Sequence, residues 1–239
     1  MNYSAYMPSV SGGYLYMRKF FSPESPAMRF LSLFCDWILL NVLFIICCLP
    51  IITIGTSITA LYAVLFRKLR GEDCFIAKTF FKEFKSNFKQ SILFWIPFLL
   101  IEAFLIFDIY IVRMPANEAY LFLQYPVSIV AFLILCGSIF VFPQMALFDS
   151  KTPQIIKNSF LLGLSNFPTV ILILVVYIAL FLVAGLSPKW TAIIFSIMLF
   201  FGFAATANFC CLFYRRIFIK CLGLNEDGSD PDEAEEEEL

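Results

Sequence analysis

The run Ser91-Ile-Leu-Phe-Trp95-Ile-Pro97-Phe-Leu-Leu-Ile-Glu102-Ala-Phe-Leu-Ile-Phe-Asp108-Ile-Tyr-Ile-Val112 decides the fold class. As a helix it reaches about 33 Å, enough to cross a hydrocarbon core of about 30 Å. Fifteen of its residues are Leu, Ile, Phe or Val. Each favours insertion by roughly 0.3–0.6 kcal/mol near the centre, on the order of 5–9 kcal/mol together, against roughly 3 kcal/mol for one carboxylate. The segment therefore inserts with Glu102 aboard. An ionisable group at that depth is costly and marks a candidate for function. Glu102 is expected to face the bundle, uncharged, with Asn208 or Asn41 as its partner. Interhelical hydrogen bonding is one reading of it; a proton or cation site, with Asp36 and Asp108 extending a polar path, is the other.

Outward from this run the same composition continues. Hydrophobic residues make up 61% of the 239, charged residues 15%, and Phe alone counts 30. A soluble domain could not cover so much apolar surface. Apolar segments at about 29–50, 51–66, 91–112, 120–142, 167–187 and 190–213 predict an all-α polytopic membrane bundle of five to six transmembrane helices. The second segment is short, about 24 Å as a helix. Pro50 argues for a tight reversal before it. Gly55, Thr53, Thr56, Ser57 and Thr59 make its start small and polar, as membrane helix interfaces often are.

Positive charge orients the chain. If 29–50 and 51–66 form a hairpin, 15 of the 17 Lys and Arg residues share one face, and only Arg113 and Lys189 lie opposite. Cytoplasmic loops carry that excess, which predicts both termini inside and a multi-pass protein of the bacterial plasma membrane. A re-entrant hairpin gives the same count. Between Cys74 and Lys89, the residues Lys78, Lys82, Lys85 and Lys89 fall on one helical arc, with Ala77, Phe81, Phe84 and Phe88 on an adjacent one. This pattern predicts a cytoplasmic interfacial amphipathic helix whose Lys residues reach lipid headgroups. A docking surface for an acidic protein is the alternative.

Several chemistries are excluded or unsupported. The chain has no His, so no Ser-His-Asp triad or HExxH zinc site exists. Neither a P-loop nor GxGxxG occurs, and the eight Cys include no CxxC. No catalytic residues, metal site or cofactor are expected. Nucleic acid is not an expected partner, since the basic patch is small and net charge is −1. The domain plan is an N-terminal cytoplasmic tail (1–25) without a signal-peptide core, a membrane domain (26–222) and a disordered acidic C-terminal tail (223–239). A weak internal repeat aligns Lys78…Ser86-Asn87-Phe88 with Lys157…Ser165-Asn166-Phe167, each preceded by an apolar helix ending at a proline, Pro50 or Pro143.

Pro26-Ala-Met-Arg29-Phe-Leu, Asp36-Trp-Ile-Leu-Leu-Asn41, Cys48-Leu-Pro50-Ile-Ile-Thr53-Ile-Gly55 and Thr59-Ala60-Leu-Tyr62 form a series. In it the chain resembles the YesL-like family of bacterial integral membrane proteins, a domain of unknown function. Phe81–Lys89 and Asp108-Ile-Tyr110 fit the same pattern. The resemblance brings no catalytic residues. It implies an accessory role in ATP-driven carbohydrate uptake or its control, with transporter subunits or another membrane protein as partner and the lipid bilayer as surroundings. Alternatives are a small carrier or channel and a membrane signalling component. Gly163 lies in a helix-like stretch, 151–167, as in an importer permease's coupling helix, but without the Glu-Ala-Ala that precedes such a glycine there.

Overall fold

The computed structural model describes residues 26–72, 74–114, 120–148 and 150–222. Both expected tails, and the connection that contains Ala116, lie outside the described residues. The helices are α1 (Pro26–Cys48), α2 (Ile54–Leu69), α3 (Ile76–Val112), α4 (Gln124–Leu147), α5 (Thr152–Ser165), α6 (Phe167–Gly185), α7 (Pro188–Ile197) and α8 (Phe203–Leu222). A 3-10 turn (Ile51–Thr53) precedes α2, and a π turn (Met198–Gly202) joins α7 to α8. The described residues contain no strand. Six helical stretches are long and apolar enough to cross a membrane, so the chain is an all-α polytopic bundle.

The least apolar stretch forms the centre. In Ile51–Leu69, 61% of residues are buried, against 6–33% in the other five. In lipid this is the expected sorting, because the helix with most hydroxyls gains most from protein neighbours, and its small residues let backbones approach. Gly55 to Leu65 is buried apart from Ile58, and the helix ends at Gly71, whose φ of +81° suits only glycine.

Side-chain pairs fix the directions. Arg67 Nη2 meets Glu83 Oε1 at 2.6 Å, Thr59 Oγ1 meets Ser91 Oγ at 3.0 Å, and Trp95 Nε1 donates to Ile51 O at 2.8 Å. Residue numbers rise on α3 as they fall on α2, so the two helices are antiparallel. Ring contacts of Tyr62 with Tyr214, Phe66 with Phe218, Phe140 with Tyr214 and Phe148 with Phe218 make α2, α4 and α8 run the same way. Lys68 pairs with Asp36, so α2 returns along α1 and the expected hairpin exists. Phe34 and Phe44 of α1 meet Phe201 and Phe203, only two residues apart, so α1 crosses the last helix rather than following it.

The hairpin tip lies beside Trp95. From there α3 runs on to Val112, about 25 Å of further helix. Of the two arrangements that charge leaves open, this depth relative to α3 favours the re-entrant one. In a Cys-less background, Ile52→Cys should resist a membrane-impermeant thiol reagent added outside intact cells, whereas Ser187→Cys should label. Labelling of both positions would mean the hairpin crosses completely.

In its helix boundaries the structure differs from the sequence reading in two places. The basic stretch is not a separate helix but the first third of the 37-residue α3. No Gly or Pro separates Ile76 from Trp95, so nothing interrupts the backbone hydrogen bonds there. Lys78, Lys82, Lys85 and Lys89 are exposed as expected, but the buried arc is Ile76, Thr79, Phe80 and Asn87, with Phe81 and Phe88 exposed. Pro143 lies inside α4, which continues to Leu147. The repeat survives only locally. Asn87 and Asn166 each donate to the carbonyl four residues back, yet only Asn166 ends a helix, where Pro168 follows.

Candidate functional site

The turn motif is a knot of local bonds. Thr53 Oγ1 donates toward Cys47 O at 2.6 Å and Pro50 O at 2.8 Å, and Ser57 Oγ reaches Thr53 O at 2.9 Å. Pro50 fixes an extended backbone at the tip, φ −77° and ψ 123°. Gly55 then lets α3 come close, since a Cβ there would stand 2.8 Å from Trp95 Cβ and 3.0 Å from Phe142 Cε1. Ala60 is fully buried, and Tyr62 packs edge-on against Tyr214 at 5.6 Å. Each of Pro50, Thr53, Gly55, Ala60 and Tyr62 thus has a structural task.

Asn41 has the most specific one. A π turn takes carbonyls out of the regular helical ladder. Asn41 Nδ2 donates to Met198 O at 3.0 Å and Leu199 O at 2.8 Å, and Asn41 Oδ1 accepts from the Ala204 N–H at 3.0 Å. The side chain is fully buried and reads both sides of the π turn. One amide thereby couples α1 to the irregular joint of the last helix.

Glu102 is not part of this system. Its Oε1 is buried without a hydrogen-bond partner, and no bond joins it to Asn41 or Asn208 among the described residues. The expected pairing fails for a geometric reason. Asn41 is spent on the π turn, Asn208 sits on α8, which packs on α1 and α2, and Glu102 lies on the part of α3 beyond the hairpin tip. Asp36 is held by Lys68, and Asp108 is half-buried near the far end of α3. The intramembrane polar residues do not converge.

A feature the sequence did not reveal is an apolar cleft of about 450 Å³ between α2, α4, α6 and α8. Its wall includes Leu61, Tyr62, Phe142, Leu174, Tyr177 and Tyr214. The π turn also went unread, because no residue pattern encodes it; Asn41 and Gly202 are its only traces. The basic end of the bundle holds the ends of α2 and α8 and the start of α3, with the four lysines on its outside. Among the described residues no cluster of Cys, Asp or Glu has the arrangement to hold a metal ion.

Comparison with known proteins agrees with the motif. Residues 37–109 match the family model described as "Protein of unknown function, DUF624". The chain is 26% identical over 206 residues to "Uncharacterized protein YteU" of Bacillus subtilis (strain 168), covering 83% of this chain and 88% of that protein. No solved structure matches. The matched residues hold Asn41, the hairpin motif and the α2–α3 contact. Over residues 37–109 the chain thus matches the DUF624, or YesL-like, family that its motif series resembles.

Proposed function

We propose that this protein is a non-enzymatic accessory component of an ATP-driven carbohydrate uptake system in the bacterial cell membrane, with both termini in the cytoplasm. The carbohydrate element rests on the family resemblance. The accessory element rests on one observation: the polar groups a carrier would need do not converge, and two of them are tied up in structure. Asn41 serves the π turn, Asp36 serves the α1–α2 hairpin, and Glu102 stands apart from both. Gly163 packs onto α4, 3.3 Å from Cys136 O when a Cβ is added, so it serves a helix contact rather than a permease's coupling surface. The exposed Lys78–Lys89 stripe offers the basic end to anionic lipid or an acidic partner, each Lys near such lipid contributing about 1 kcal/mol.

A carrier is the second reading, favoured by the orphaned Glu102 oxygen. Uptake of labelled carbohydrate separates the two. Deleting the chain should lower uptake, and wild type and Glu102→Gln should restore it equally, because Gln keeps the shape without the titratable proton. A stable Glu102→Gln protein that restores nothing would favour the carrier.

A further inference from the structure

We propose that the cleft between α4 and α6 is a binding site for one acyl tail of a bilayer phospholipid. Its volume, about 450 Å³, falls within the roughly 300–1,000 Å³ of sites that enclose small molecules. The cleft exists because α6 leans on the bundle mainly through α5 and α7; of its 19 residues only Val170 and Ile173 are buried. Leu135, Tyr177 and Phe203 line the cleft and are also exposed on the outer surface, so it opens directly onto the apolar flank of the protein. The neighbour of that flank in a membrane is lipid.

The lining's chemistry selects the tail and not the headgroup. Ser138 Oγ donates to Leu135 O at 2.7 Å, Thr206 Oγ1 to Gly202 O at 2.8 Å, and Tyr214 Oη to Ile139 O at 3.1 Å. These hydroxyls are spent on the protein's own backbone, and no charged side chain lines the wall. A dry apolar cavity does not attract water, and left empty it forfeits dispersion contacts along every wall. A flexible hydrocarbon chain restores those contacts without needing a polar partner. The site touches Phe203 at the end of the π turn, so an occupied cleft supports the same joint that Asn41 holds.

The test uses the whole protein in nanodiscs containing a phospholipid with a photoreactive diazirine near its tail end. Wild type should be labelled at the buried lining residues of two stretches, Ser138 and Phe142 on α4 and Ala207 and Tyr214 on α8, and also on the lipid-facing surface at 104–110. Leu174→Trp fills the cleft from α6 and should lower labelling of those four buried residues at least about fivefold, with 104–110 unchanged. Equal labelling of the cleft in both proteins overturns the proposal. So does a two-copy mass in native mass spectrometry that Leu174→Trp abolishes, which would assign the cleft to a second copy. Native mass spectrometry of wild type provides a reading independent of the variant's folding: one phospholipid retained through delipidating detergent supports the site, and none overturns it.

Discussion

Asn41→Ala should destabilise the protein more than the loss of any other single polar side chain. It removes two donors from the π-turn carbonyls and one acceptor from the Ala204 N–H. Interhelical hydrogen bonds in membranes average roughly 0.6 kcal/mol with an upper range near 1.7, so three give about 2–5 kcal/mol. The bilayer interior offers no water to replace them. Thermal or SDS unfolding in detergent measures the loss. Asn208→Ala is the control: that side chain makes none of these bonds and should change stability by less than about 0.5 kcal/mol. Equal losses at the two positions would mean that Asn41 does not hold the π turn.

Gly55→Ala should cost about 1–3 kcal/mol, the usual range for overpacking. The new methyl group would meet Trp95 Cβ at 2.8 Å, an atom fixed close to the α3 backbone that cannot swing aside. Separating α2 from α3 also loosens the Trp95 bond to the hairpin tip. Gly185→Ala, with nothing within 4 Å of its Cβ, should be neutral in the same assay. A neutral Gly55→Ala would mean that the helices are not in close contact there.

What the sequence revealed and what it hid follow from how each feature is encoded. The membrane segments were legible because each depends on the summed hydrophobicity of many residues. The hairpin was legible from Pro50 and from the charge count. The hydroxyls of α2 were legible as an interface, although its shortness hid that it forms the centre. Its depth depended on register with α3, which only the pairs Arg67–Glu83, Thr59–Ser91 and Ile51–Trp95 supply. The lysine stripe suggested a separate surface helix because charge and apolar run look like two elements, whereas the backbone sees no breaker between them. Glu102 drew attention by composition alone, and composition does not say which neighbours a side chain finds. Asn41 was marked as a polar candidate, but its work depends on an irregular turn 157 residues away.

An accessory role, as opposed to transport by the chain itself, is tested most directly by affinity purification of the full chain from native membranes in mild detergent, with the bound subunits identified and quantified. An accessory protein should bring with it the permease and ATPase subunits of a carbohydrate importer, in near-equal amounts with the chain. Recovery of the chain alone, in a form that moves solute across proteoliposomes without any other protein, would contradict that role.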